Sequence, residues 1–266
     1  MERTRALVEN YIEIIENNFS NLVNNETVIH DDIEKFINGP SKRIRSIFCL
    51  LYLKANNASI NDNVINILTA GELIHNASLL HDDVIDDSEE RRGAKTFNIK
   101  YNSKVSILSG DYVMSTAIKC LMQINNKSIL DIFLNTTKEM CNAELKQYTI
   151  RNKEISFNEY VEIISGKTAS LFRAIMESTA LLTDLDINSA KHFGELFGQL
   201  FQINNDTQNE SVINDKQNGL NTIIDILGIE KTQILKDNYK EKMREIIKGL
   251  PNNKYSNGLG DLINLL

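Results

Sequence analysis

The sequence predicts an all-α protein, a single-domain helical bundle spanning residues 1–266. Three observations lead there. Apolar residues recur at i, i+3, i+4 and i+7 along most of the chain, the period of a helix with one buried face. The only prolines are Pro40 and Pro251, so residues 41–250 lack the residue that most reliably breaks helices. Strand-type alternation is scarce, and no repeat or low-complexity linker marks a domain boundary.

The elements follow in order. Leu7, Tyr11, Ile14 and Ile15 outline a first helix, and Ile29, Ile33, Phe36 and Ile37 a second that ends near Asn38-Gly39-Pro40. Residues 44–53 form a buried third. Residues 64–84 make one long helix, apolar at Ile65, Leu68, Leu73, Leu79 and Leu80, with Gly93 in the loop after it. Further helices are expected at about 104–124, 127–150, 157–182, 187–209, 218–227, 230–249 and 257–265.

Composition narrows the class. Hydrophobic residues make up 42% and charged residues 24%, an ordinary globular balance. The formal net charge of −7 argues against a nucleic-acid binder, which is normally basic. Cys49, Cys120 and Cys141 are widely spaced in apolar patterns with no CxxC pair, so neither a structural zinc site nor a disulfide framework is indicated, which suits a cytoplasmic setting. No stretch approaches a signal peptide or a transmembrane segment.

The chemistry concentrates in HDDVIDDSEERRG, residues 81–93. Asp82 and Asp86 share a helix face, with Cβ atoms about 5–6 Å apart. Carboxylates that close repel unless a cation lies between them, and an oxygen-only pair suits magnesium completed by waters and phosphates. A solvated acidic helix end gives the same pattern. The surroundings favour the cation: the acids emerge from an apolar helix, at an end where its dipole opposes negative charge. Arg91 and Arg92 follow directly and carry forked donors for phosphate oxygens.

This segment resembles the first aspartate-rich motif, DDxxD…RRG, of the trans-prenyl diphosphate synthases. The resemblance runs along most of the chain. Lys42-Arg43-Ile44-Arg45 resembles the basic GGKRxRP motif, with Pro40-Ser41 in place of the glycines and Ser46 in place of the proline. His75 lies where the family places a polar isopentenyl-diphosphate ligand. Leu108-Ser109-Gly110-Asp111, Glu144-Leu145-Lys146-Gln147, Lys167-Thr168-Ala169 and Phe201-Gln202 resemble its LxGD, ExxQ, KTA and FQ elements. Singly, His75 reads as a core histidine, Lys42 and Arg45 as a basic helix start and Lys167 as surface. Their order carries the resemblance.

The resemblance implies a helical bundle of the isoprenoid synthase type surrounding a central cavity, with Mg2+ as cofactor. It implies that Asp82, Asp86 and Asp206 serve the metal. Lys42, Arg45, His75 and Arg92 would hold isopentenyl diphosphate, with Arg91 and Lys167 on the allylic prenyl diphosphate. Thr168 and Gln202 would turn oxygen dipoles towards the allylic cation. Ser78 and Ala77, small residues four and five positions before Asp82, would leave the product tunnel open to chains longer than farnesyl. The family's usual state implies a homodimer, or a heterodimer with a complete synthase.

The second aspartate motif departs from the family's FQxxDDxxD. Asn205 and Asn209 replace its first and last acids, and only Asp206 stays acidic. Leu220 stands at the lysine of the following GKxT element. An asparagine oxygen still ligates but brings no charge to a hard dication. Two readings follow: an active long-chain trans-prenyltransferase, or a weakly active or non-catalytic subunit of a heteromeric synthase. A class I terpene cyclase fits less well, because Asn209 and Ile213 occupy the serine and glutamate positions of its NDxxSxxxE motif. A purely structural helical protein has no need of the clustered acids and arginines.

Overall fold

The computed structural model describes residues 1–23, 27–208, 212, 213, 216 and 218–266. Nearly all the regular structure among the described residues is helical, as the periodicity predicts, with one small hairpin. It forms two compact units. One comprises Val8–Leu50 and Ile60–Leu130; the other comprises Met1–Leu7, Leu51–Ser59 and Asp131–Leu266. They are called the acidic-motif unit and the relay unit below.

In the acidic-motif unit the helices are α2 (Glu9–Leu22), α3 (His30–Asn38), α4 (Ile44–Ala55, whose last turn belongs to the relay unit), α5 (Asp62–Ile85), α6 (Phe97–Lys100) and α7 (Ser103–Met122). The expected first helix is divided, because Val8 leaves the helical region (φ −132°) after the short α1 (Glu2–Ala6). The buried stripe of α2 is Val8, Ile12, Ile15 and Phe19, and Ile14 faces solvent. An offset of one residue on a helix rotates a side chain by about 100°, so adjacent isoleucines cannot share one face.

The long helix α5 is the axis of this unit. It is buried on nearly every side, which is why its sequence is apolar all round rather than striped. The Asn61 side chain accepts from the Val64 amide and caps its start. Both α2 and α7 pack on α5, and the Ser106 hydroxyl ties α7 to it by donating to the Leu80 carbonyl at 2.8 Å. After α5 comes an antiparallel hairpin, β1 (Glu90–Arg91) with β2 (Ala94–Lys95), Arg91 facing Ala94. Its two-residue loop, Arg92-Gly93, has φ of +54° and +76°. Positive φ at both positions is the type I′ pattern that matches strand twist, and glycine suits the second position.

The relay unit contains α8 (Lys127–Thr149, whose first residues lie in the other unit), α9 (Phe157–Ile164), a π-helical turn (Ser165–Ala169), α10 (Ser170–Leu182), α11 (Ile187–Asn205), α12 (Ile223–Leu227), α13 (Ile229–Lys248) and α14 (Lys254–Asn264). The helix expected over 157–182 is therefore continuous but carries a π turn at SGKTA. Helix α11 stops at Asn205, short of the expected 209, and Asn209 lies outside the described residues. The helix expected from 218 starts at 223, behind the Thr222 capping box, because Gly219 (φ +70°) is a turn residue. Helix α14 begins earlier than expected, capped by Asn253.

Helices α10 and α11 form the centre of this unit. Phe172, Phe193 and Phe197 are fully buried there, and each contributes about 2 kcal/mol of burial. Gly198 lets α11 approach the π turn: a Cβ added there would lie 2.5 Å from the Ala169 Cα. That close approach sets the height of Gln202, one helical turn further on.

Candidate active site

The acidic-motif unit carries the first cluster. Asp82 lies in the last turn of α5, and Asp86 is its C-cap residue, with its amide donating to the Asp82 carbonyl at 2.9 Å. Helical hydrogen bonding thus extends through the motif and leaves both carboxylates partly exposed, one turn apart. Asp83 plays another part. It is fully buried, and its Oδ1 accepts from Arg91 Nε at 2.7 Å. Burial raises its pKa, and the Arg91 guanidinium draws it part of the way back. The pairs Asp82/Asp86 and Asp83/Asp87 have the same spacing but distinct surroundings: Asp83 anchors the hairpin, while Asp82 and Asp86 keep solvent access.

Four arginines gather around α5. Arg43 adopts φ +47° and turns inward, 1% exposed. It donates to Glu16 at 3.1 Å and to the Ile37 carbonyl at 2.7 Å, and lies over the Phe19 ring at 4.9 Å. It is a structural arginine, and Lys42 beside it stays exposed. Arg45 is buried, and burial lowers its pKa to about 10 against the opposing pull of Glu72. Glu72, also buried, accepts from the Ser46 hydroxyl at 2.8 Å and from its amide at 3.3 Å. This carboxylate holds the first turn of α4, and with it the basic motif, against α5.

Arg92 donates weakly to the Phe36 carbonyl (3.3 Å) and to Asn76 Oδ1 (3.4 Å), and lies over the Phe36 ring. Its pKa is lowered by burial first and by Arg43 and Arg91 next. His75, partly exposed on α5, is pushed well below the usual histidine range. Burial is the main cause, followed by Arg45, Arg92, Arg91 and Arg43. His75 therefore stands neutral in a cationic setting, a donor or acceptor rather than another charge. Sequence reasoning gives the arginines but misses Glu72 and Asn76, which carry no motif and are recognisable only once α4 and the hairpin are folded against them.

The relay unit carries the second cluster. Lys167 and Thr168 sit in the π turn, where the extra residue per turn shifts the register of their side chains. Lys167 Nζ is held by Glu144 at 2.6 Å and by Gln147 at 2.8 Å, both from α8. The Thr168 hydroxyl donates to Gln202 Oε1 at 2.7 Å. Gln202 Nε2 donates to Asp206 Oδ1 at 2.7 Å, and the Tyr160 phenol donates to Asp206 Oδ2 at 2.6 Å. Asp206 is 8% exposed, and burial raises its pKa against the lowering influence of Tyr160, Gln202 and Lys167. The Tyr160 ring is fixed by packing on Ile164, Ile203 and Ile223.

Of the expected ligand set, Asp82 and Asp86 belong to the first cluster and Asp206 to the second, where both Asp206 oxygens accept protein hydrogen bonds. Asn205 closes α11 partly exposed, and Leu220 follows the Gly219 turn. Among the described residues no group of three or more His, Cys, Asp or Glu side chains converges to hold a metal ion. A pair of partly exposed carboxylates still suits magnesium, which takes one or two carboxylates and fills its remaining positions with water and substrate phosphate.

Residues 22–252 match the polyprenyl synthetase family. The chain belongs to the polyprenyl synthetases. It is 32% identical over 174 residues to the octaprenyl diphosphate synthase of Haemophilus influenzae, covering 64% of this chain and 53% of that protein. It is 30% identical over 204 residues to the all-trans-nonaprenyl-diphosphate synthase (geranyl-diphosphate specific) of Rhodobacter capsulatus, covering 72% and 63%. The chain spans about half the length of the first of these polyprenyl synthetases. Its fold matches the crystal structure of a decaprenyl diphosphate synthase from Rhodobacter capsulatus with a TM-score of 0.91, at 20% identity over 99% of this chain and 97% of that one. The all-α polyprenyl synthetase fold is therefore present. No helix among the described residues is long and apolar enough to cross a membrane.

Proposed function

We propose that this polyprenyl synthetase is a trans-prenyltransferase that condenses isopentenyl diphosphate with an allylic prenyl diphosphate, giving a product longer than farnesyl. The observation that carries this reading is the pairing of Asp82 and Asp86 at the end of α5 with four arginines on the same unit, Arg43 and Arg45 buried and Arg91 and Arg92 partly exposed. Bound magnesium would neutralise the diphosphate as its C–O bond to the allylic carbon breaks. Asp82 and Asp86 would hold that ion, and Arg91, oriented by Asp83, would stand beside it. Lys42, Arg45, His75 and Arg92 would bind isopentenyl diphosphate, whose double bond attacks the allylic carbon and whose adduct then loses a proton to the released diphosphate. Neutral His75 would serve as a hydrogen-bond donor there. Lys167 would face the allylic diphosphate, and Thr168 and Gln202 the cation. Ala77 is fully buried and Ser78 small, which supports a long product. Long-chain relatives support it too.

The test is turnover by purified protein given magnesium, isopentenyl diphosphate and labelled geranyl or farnesyl diphosphate. A labelled product of defined length, longer than farnesyl, is expected. Phenylalanine at Ala77 should shorten it, read by chromatography of the dephosphorylated products.

Asn205, Asn209 and Leu220 favour one further reading, a subunit that assists a complete synthase in a heterodimer. In that case turnover is absent from the purified chain and appears only when the partner is added. A homodimer is the assembly proposed for the active enzyme, and sedimentation of the purified chain separates the two.

A further inference from the structure

We infer that Asp206 is a positioning residue rather than a metal ligand, and that with Tyr160 it sets the polarity of the Thr168 hydroxyl. The inference rests on the proposed prenyltransferase reading and deepens its account of the relay unit. An ionised carboxylate only accepts hydrogen bonds. Both Asp206 oxygens are met by donors: Tyr160 Oη on Oδ2 at 2.6 Å and Gln202 Nε2 on Oδ1 at 2.7 Å. Because the Gln202 amino group is committed to Asp206, its carbonyl oxygen faces Thr168. The Thr168 hydroxyl therefore donates its only proton to Gln202, at 2.7 Å. The lone pairs of Thr168 Oγ1 are left for whatever lies beyond it. An oxygen with its proton turned away is the dipole orientation that favours a carbocation.

The same geometry explains why Asp206 is the acid kept in the second motif. Asparagine at 205 and 209 weakens an ion site by degrees. Asparagine at 206 would reverse the relay. Its carbonyl would take the Tyr160 proton, and its amino group would then confront that of Gln202. Gln202 would flip to offer its oxygen, its amino group would donate to Thr168, and the threonine proton would turn outward.

Asp206→Asn is therefore expected to lower kcat about 10²-fold, the scale of a misdirected transition-state dipole. Tyr160→Phe leaves Asp206 an acceptor and should lose less, about tenfold. In both variants the KM for each diphosphate and the magnesium half-saturation should stay within about twofold, and calorimetric binding of magnesium diphosphate should be unchanged. A tenfold rise in magnesium half-saturation for Asp206→Asn, or loss of magnesium diphosphate binding, overturns the inference and makes Asp206 a ligand. If Asp206→Asn does not fold, Tyr160→Phe decides: a ligand role predicts a raised magnesium half-saturation there, whereas a positioning role predicts a lower kcat with the half-saturation unchanged. A parent chain that neither turns over nor binds magnesium diphosphate refutes the prenyltransferase reading instead. The relay is then read from the Gln202 side-chain amide resonances, which must shift in Tyr160→Phe; unchanged resonances refute it.

Discussion

Asp82, Asp83, Asp86 and Asp87 are four copies of one side chain within six positions, and the fold gives them different surroundings. Asp83 is buried under Arg91, Asp87 adopts φ +48° in the turn, and Asp82 and Asp86 share the partly exposed face. In the proposed reaction, Asp82→Asn or Asp86→Asn should reduce kcat at least about 10²-fold, since each would remove charge that stabilises the departing diphosphate. Melting temperature should barely change, because neither side chain is buried. Equal losses of rate and of fold in a thermal scan run beside the assay would contradict this division. His75 gives a pH prediction. Its folded pKa is depressed by burial and nearby arginines, so the unfolded chain binds a proton that the native state refuses. The stability from keeping it neutral is complete above about pH 6.5, the ordinary histidine value. It is lost progressively as pH falls below that value. Asp83 and Asp206 have raised values and run the other way, so the His75 contribution is isolated by difference: His75→Gln should flatten the fall in melting temperature between about pH 6.5 and 5.

At the scale of elements, the π turn and its contact with α11 order the relay unit. A methyl group at Gly198 has nowhere to go, because backbone and side chain of Ala169 already fill the space. Gly198→Ala should cost about 1–3 kcal/mol as α11 is forced outward. It should also lower kcat, because Gln202 moves away from Thr168; denaturant titration and steady-state rates check the two effects. Most helices were legible in the sequence, since a buried face imposes a period wherever one exists. The exceptions have physical reasons. Ile14 and Ile15 are adjacent, and only packing chooses between them. SGKTA reads as ordinary helix because a π turn depends on tertiary crowding at Gly166 and Ala169, not on composition. The motif acids and arginines were legible as residues. Glu72, Asn76 and Tyr160 were not, because each acts on a partner between 16 and 46 positions away.

At the scale of the molecule, each unit is assembled from separated stretches of chain. Helix α14 packs on α1, and Asn253 donates to the Ala55 carbonyl at 2.9 Å, so the relay unit is closed by residues from the far end of the sequence. Residues 131–266 expressed alone lack both supports. They should melt broadly and at lower temperature by circular dichroism than the intact chain, whose transition is expected to be cooperative. A sharp melt of the fragment at the parent temperature would show that α1 and residues 51–59 are dispensable.

Arg92 occupies the first position of its hairpin turn, where a left-handed backbone suits asparagine or glycine far better than a long branched cation. A protein engineer seeking heat tolerance would replace it with asparagine, and the turn itself would become sturdier. Under the proposed reading, the chain would then lose a guanidinium offered to isopentenyl diphosphate. If the proposed role holds, screens that reward only thermal survival are expected to erode this corner of the molecule first, enriching variants that outlast the parent but have lost the proposed activity.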